Sequence, residues 1–515
     1  MKKFLIYLPL ALLLVSCDSF LDRDPFDKLD SNNFYNNAKE VNSAVIACYN
    51  GIHGALDKEF HLTEIRSDNT RNRNQGPTAS VDLEMTHLDT FRPESSNTLI
   101  NSYWEATYHN IANCNTVLKY IDNVDDPTLK AQYEGEARFI RAYHYFNLVR
   151  LFGPVFIVTK RISGEEAKWT VRAPEEDVYN LIIEDLKFAV ENLPVQYSDS
   201  ELGRATQWAA KGILAKVYAT LGYVNKDKEM WREARILLED IRDNSGHELI
   251  LDSGTDASAY AHVFSINNEM NKEMIFVSRY SGGGKGVGSP FANYFAPSNS
   301  EDVIIYGSGS AYNYPTEDLV AAYKSEEGDS RMEANMSYTW TDKVGKVFHE
   351  SWIRKYLSSV TVRFDAENDW PILRYADVIL LLGEMVNELD GPTQEALDCL
   401  NATRQRAGLD PIEPANRVQY RAAMSKERRL ELAFENQRYF DLLRTGELID
   451  VMAKHFPSEK MRNQSNGSWQ AVNYYCYEGR NSYISDPVLK SWQLLLPIPY
   501  NVIITAPDAT QNAGY

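Results

Sequence analysis

Trp208-Ala209-Ala210-Lys211-Gly212-Ile213-Leu214-Ala215-Lys216-Val217-Tyr218-Ala219 interleaves small residues with bulky ones on one helical stretch. Small side chains let neighbouring backbones come close, so this segment is expected to be a helix packed tightly against others. Outward from it, apolar residues recur at helical spacing over 36–56, 99–121, 129–151, 175–193 and 229–243, punctuated by breaks such as Phe152-Gly153-Pro154 and Leu193-Pro194. The pattern returns over 373–389, 394–407, 418–435 and 438–454. Consecutive amphipathic helices with short connections pack as antiparallel pairs, so the expected fold class is all-α, a solenoid of helix pairs.

The mixture of small and bulky residues at 208–219 is of the tetratricopeptide-like kind, although no strict 34-residue register is visible. Two stretches interrupt the helices. Residues 66–96 contain the polar run Ser67-Asp68-Asn69-Thr70-Arg71-Asn72-Arg73-Asn74-Gln75 and are expected to form a long loop. Residues 246–372 are rich in Gly, Ser and aromatic rings and are expected to form a large irregular insertion with a few strands, at 274–277 and 303–305. From 456 onward the chain is again irregular. Over 427–444 charge is dense beside an apolar stripe of Leu430, Ala433 and Phe434, and a buried ion-pair network between helices is expected there.

The 515 residues, 44% apolar and 24% charged, are globular in proportion and allow a large core. A net charge of −19 repels polyanions, which excludes nucleic-acid binding as a main role. Tyr (31) outnumbers Phe (20), so many rings carry a polar tip suited to half-exposed positions. Chemistry is absent from the motifs. Ser281-Gly282-Gly283-Gly284-Lys285-Gly286 lacks both the first glycine of a phosphate loop and the hydroxyl that would hold Mg²⁺. No HExxH occurs, and Gly307-Ser308-Gly309-Ser310 lacks the spacing of a nucleophile elbow. No catalytic residue, metal ligand or cofactor is assigned, a structural calcium ion is left open, and the chain is expected not to be an enzyme.

Met1-Lys2-Lys3 precedes an apolar run from Phe4 to Val15, shorter than the roughly 20 residues that span a bilayer, and 1–16 read as a signal peptide. Leu14-Val15-Ser16-Cys17 resembles the lipobox of bacterial lipoproteins, which implies cleavage before Cys17 and its acylation. Residues 17–35 then form a polar tether and 36–515 one domain. Cys48, Cys114, Cys399 and Cys476 lie far apart without CxxC spacing, indicating neither a zinc site nor a disulfide scaffold; the first three are expected as buried thiols.

Several ordered segments together resemble the SusD/RagB family of glycan-binding outer-membrane lipoproteins. They are Trp104 to Asn115, Gly135 to Gly153, Gly203-Arg204-Ala205-Thr206 with Ala209-Ala210-Lys211, Leu373 to Val378, Asn401-Ala402-Thr403-Arg404 with Arg406-Ala407-Gly408-Leu409, and Glu427 to Arg444. The resemblance implies tetratricopeptide-like helix pairs as scaffold (about 99–245 and 373–455) and an irregular ligand-facing half (about 60–98 and 246–372). It also implies a surface-exposed, lipid-anchored place in the outer membrane and a SusC-like TonB-dependent transporter as partner, to which an oligosaccharide or polysaccharide is delivered. A lid for peptide or another nutrient, and a surface glycoside hydrolase, are the alternatives.

Sugars are bound by aromatic faces against their C–H side and by planar polar groups at their hydroxyls. The candidates are therefore Asp68, Asn69, Arg71 and Asn74 as polar contacts, and Tyr280, Tyr294, Tyr306, Tyr312 and Trp340 for stacking. Trp104 and Trp208 are assigned to packing.

Overall fold

The computed structural model describes residues 34–73, 80–255, 257–298, 300, 303–304, 308–463, 465–471 and 489–515. The first half is helical: α1 (Ala38–Leu62), α2 (Ser80–Asp89), α3 (Thr98–Tyr120), α4 (Pro127–Phe152), the short α5 (Gly164–Lys168), α6 (Glu175–Asn192), α7 (Gln207–Asn225) and α8 (Lys228–Asn244). Residue chemistry sets their ends. The Asp126 carboxylate accepts the Thr128 and Leu129 amides with Pro127 in the first turn of α4, and Gly153, at φ 71°, closes that helix. Thr206 and Asp227 cap α7 and α8 in the same way. α1 packs on α3, α4 on α6 and α7 on α8, and α3–α4 and α6–α7 contacts join the pairs into a solenoid.

Short elements fill the middle of the chain. These are α9 (Ala259–Val263), α10 (Phe291–Phe295), α11 (Glu317–Lys324) and α12 (Arg331–Asn335), with strands β1 (Thr70–Arg71), β2 (Met274–Ser278), β3 (Tyr314–Pro315), β4 (Met336–Ser337), β5 (Trp340–Thr341), β6 (Val347–Phe348), β7 (Trp352–Ile353) and β8 (Trp370–Arg374). The strands pair two by two and antiparallel, as β1–β3, β2–β8, β4–β7 and β5–β6. Helices resume with α13 (Tyr375–Asp390), α14 (Gln394–Arg406), α15 (Arg417–Glu431), α16 (Arg438–Thr445) and α17 (Leu448–Ser458), followed by the β9 (Lys460–Arg462) and β10 (Trp469–Ala471) hairpin and α18 (Tyr500–Thr505). α13 packs on α8, α14 and α15, so the second helical set continues the first.

The small residues act as the opening stretch implied. A Cβ on Gly212 would meet Leu373 Cδ2 at 2.2 Å, and one on Gly222 would meet Trp231 Cδ1 at 2.2 Å. One apolar cluster runs from Val41 to Ala509 and contains Trp104 and Trp208, both buried. Cys48, Cys114 and Cys399 are buried free thiols.

The charged segment at 427–444 builds a network inside this core. Glu431 accepts from Arg374 at 2.6 Å, from Arg331 at 3.1 Å and from Arg406, while Glu435 accepts from Lys355 at 2.6 Å and Arg374 at 2.8 Å. Burial alone would push the Glu431 carboxyl up, but Arg406, Arg374 and Arg331 together hold it well below the usual range. Charges this deep persist because every one has an opposite neighbour.

Several expectations need correction. The segment 66–96 is not one long loop: α2 lies within it, and the polar run from Ser67 to Asn72 is buried. Asp68, Asn69, Arg71 and Asn72 tolerate burial because arginines and carboxylates distant in sequence pair with them, although Thr70 Oγ1 has no hydrogen-bond partner among the described residues. Residues 373–374 belong to β8, not to a helix. The helix expected over 438–454 is two, broken where Gly446 takes φ 77°. Val303 and Ile304 are a turn and a bend instead of a strand. The signal peptide, Cys17, most of the tether and Cys476 lie outside the described residues.

Candidate functional site

The polar candidates turn inward. Asp68 receives two hydrogen bonds from Arg438, at 2.8 and 2.9 Å, and is paired with Arg429 at 3.3 Å. Burial acts against its charge, but Arg429 and Arg438 outweigh it and hold the carboxyl well below its ordinary value. Asn69 donates to Glu64 at 3.0 Å and accepts from Arg429 at 2.9 Å. Arg71 pairs with Glu459 at 3.5 Å and lies over the Tyr314 ring. All three are buried. They fasten the 64–73 segment to α15, to α16 and to the end of α17. Asn74 and Tyr306 lie outside the described residues.

The aromatic candidates divide. Tyr280 is buried, donates to Asp57 at 2.7 Å and stacks on His53 with centroids 4.1 Å apart. Trp340 is buried too, its indole N–H donating to Glu350 at 2.9 Å and its ring stacked on Phe348 at 4.1 Å. Neither offers a free face. Tyr294 and Tyr312 are half-buried and lie together, centroids 5.7 Å apart at 45°.

A third ring, absent from the candidates, completes this group. Phe364 lies 5.3 Å from Tyr294, is 36% exposed, and holds a left-handed backbone at φ 62°. A bulky residue in that region is strained and persists only where its surroundings hold it. Asn293 is what holds it: its side-chain oxygen accepts the Phe364 amide at 2.7 Å, and its side-chain nitrogen donates to the Ser308 carbonyl at 3.3 Å. The loop 308–313 has left-handed residues of its own at Ser308, Ala311 and Asn313. It is clamped to α10 by the amides of Ser310, Ala311 and Tyr312, which donate to the carbonyls of Asn293, Ala296 and Tyr294 at 2.7, 2.9 and 2.8 Å. A Cβ on Gly309 would fall 2.1 Å from the Ala296 carbonyl, so only glycine fits. No local pattern marks Phe364 in the sequence, because the side chain that receives its amide, Asn293, is 71 residues away.

Polar groups flank the rings. The exposed Arg363 guanidinium lies over the Phe364 ring at 4.4 Å. Burial raises the Tyr312 phenol, the Asp82 charge raises it further and the Arg363 charge opposes. Burial pushes the Tyr294 phenol up to about 12, with Asp57 adding to it. Among the described residues neither hydroxyl has a hydrogen-bond partner within the protein. The arrangement is a tilted wall of three rings with hydroxyl, cationic and anionic groups at its margin, suited to a ligand with an apolar face and a polar edge. No group of three or more His, Cys, Asp or Glu is placed to hold a metal ion among the described residues.

A solenoid of helix pairs that presents a loop-built ring wall defines the class: a helical-repeat binding scaffold. The SusD family profile matches residues 336–515, and a second profile, described as starch-binding associating with the outer membrane, matches 19–219. A SusD-like protein of Formosa agariphila is 26% identical across 100% of this chain and 99% of its own length. Another, from Bacteroides ovatus, is 30% identical over 54% of this chain and 50% of its own. A laminarin-binding SusD-like protein superposes with a TM-score of 0.74 at 22% identity, covering 93% of this chain and 100% of that one. A SusD homolog of Bacteroides thetaiotaomicron superposes with 0.78 at 22%, covering 94% and 98%. The chain belongs to the SusD family.

Proposed function

We propose that this chain captures a glycan at the cell surface on the wall formed by Tyr294, Tyr312 and Phe364, without cleaving it. It delivers the glycan to a SusC-like TonB-dependent transporter and is held at the outer membrane by the acylated Cys17. The observation that carries this reading is the half-exposed ring group, braced by strained backbone and by Asn293, with phenol hydroxyls directed to no protein partner. Strain maintained around exposed rings is the mark of a preorganised binding surface. A neighbouring surface glycan-binding protein of Bacteroides thetaiotaomicron was solved with laminarihexaose, which makes β-glucans the first ligands to try.

The test is affinity electrophoresis against plant, microbial and host glycans including laminarin, with calorimetry on the positives and reducing ends followed in parallel. Saturable binding without new reducing ends, weakened about two- to tenfold by Tyr312→Ala or Phe364→Ala, is the expected result, since one stacked ring is worth about 0.5–1.5 kcal/mol. Release of reducing ends would make the protein a hydrolase, and affinity unchanged in both variants would remove the ring wall from the site. The transporter link is checked by co-purification of a β-barrel partner from detergent-solubilised outer membranes. A protein that elutes alone would contradict it.

A further inference from the structure

A second cleft lies on the helical scaffold, where the α7–α8 connection faces α13, α15 and α16. Its volume is about 490 Å³, the size of a small-molecule site. Six cationic side chains line it against three carboxylates, in a chain whose net charge is −19. Four of the cations are engaged. Arg421 pairs with Glu388, Arg428 with Asp377 and Asp441, Arg438 with Asp68, and Arg444 with Glu384 and Asp441.

Lys226 and Lys228 are different. Both are exposed, and neither has an ion-pair partner among the described residues. The nearest carboxylates in sequence are occupied: Asp227 caps the Glu229 amide and Glu229 pairs with Arg232. Lys226 also ends α7 in the left-handed conformation, φ 54° and ψ 39°, where glycine or asparagine is the unstrained choice. Helix termination alone does not call for a lysine there.

Beside them Trp231, only 9% exposed, lines the cleft, and its indole N–H has no hydrogen-bond partner. Tyr223 packs edge-on to that indole at 5.3 Å. That N–H edge packs on Gly222, where a Cβ would fall 2.4 Å from the indole nitrogen, so Trp231 contributes ring surface to the cleft and not a free donor. Ammonium groups, aromatic walls and the hydroxyls of Ser425 and Thr445 together match a ring-shaped, hydroxyl-bearing anion. We infer that this cleft is a ligand site distinct from the ring wall, taking a saccharide that bears a carboxylate or sulfate ester, with Lys226 and Lys228 reading its charge. The bounded volume favours such a ligand over an acidic protein segment.

The experiment is calorimetric titration of the purified protein with trigalacturonate and with galactose 6-sulfate, using galactotriose as the neutral control. The K226N/K228Q double variant keeps a residue that tolerates left-handed backbone at 226, and its melting temperature serves as the folding check. Expected are saturable binding of at least one acidic probe, about tenfold or more over galactotriose, a loss of about tenfold in K226N/K228Q, and no change in Y312A/F364A. Failure of both acidic probes to saturate, equal affinity for the neutral sugar, or unchanged affinity in the lysine variant would overturn the inference. Loss in Y312A/F364A instead would place the acidic sugar on the ring wall and likewise overturn it.

Discussion

Glu64 shows how a single buried residue shapes the molecule. It accepts from the Asn69 side chain at 3.0 Å and from the Phe434 amide at 3.1 Å, and Phe434 sits at φ 66° in the turn that joins α15 to α16. Burial pushes its carboxyl up to about 7 against these hydrogen bonds. The folded state therefore binds more protons than the unfolded one between about pH 4.5 and 7, and this group's stabilising contribution falls as pH rises through that window. Glu64→Gln removes the dependence. The melting-temperature difference, variant minus wild type, should grow in the variant's favour from pH 5 to pH 8, by the equivalent of up to roughly 3 kcal/mol. A difference constant across that range would show that Glu64 is ionised in the fold. At this scale the sequence was least legible. Asp68, Asn69 and Arg71 have the composition of a binding loop, yet the arginines that engage Asp68 and Asn69 lie some 360 to 370 residues away.

Elements were far more legible, because apolar periodicity is local. α3, α4, α6, α8 and α14 start and stop within a few residues of expectation, and α7 starts where expected but runs on to Asn225. The exceptions have physical causes. Gly446 splits the last long helix by taking a left-handed turn, and α2 was hidden in a polar segment whose burial depends on tertiary partners. Close helix approach also makes a prediction. A Cβ on Gly383 of α13 would stand 2.6 Å from the Tyr420 hydroxyl of α15 and 2.7 Å from Cys399 Cβ of α14. Gly383→Ala should thus cost about 1–3 kcal/mol in urea denaturation, despite alanine's better helix propensity. A neutral or stabilising result would mean that the three helices are less closely packed than described. The loop 308–313 answers to Asn293 in the same manner: Asn293→Ala should weaken glycan binding about as much as loss of Phe364, with little change in helix content by circular dichroism. Unaltered affinity would show that the clamp does not preorganise the rings.

At the scale of the whole molecule, the solenoid and the irregular middle are joined through the ion network around Glu431, which draws on β8, α12, α14 and α15. Glu431→Gln leaves three guanidinium groups facing a neutral side chain. The expected destabilisation is roughly 3–5 kcal/mol, nearly independent of salt because the charges are buried. A loss below about 1 kcal/mol, or one abolished at 0.5 M NaCl, would mean the network is solvated. The dense charge of 427–444 announced this network, whereas the ring wall was only partly announced: Tyr294 and Tyr312 could be named, but Phe364 depends on strain that only the fold reveals.

Tyr294, Tyr312 and Phe364 are proposed as the surface on which a glycan is held intact. That role is tested most directly by calorimetric titration of wild type and the Tyr312→Ala/Phe364→Ala double variant with the best-binding glycan, reducing ends being assayed in the same cell. Saturable binding to wild type, a loss of roughly five- to hundredfold in the double variant at unchanged melting temperature, and no new reducing ends are expected. Equal affinity of the two proteins, or cleavage of the glycan by wild type, would contradict it.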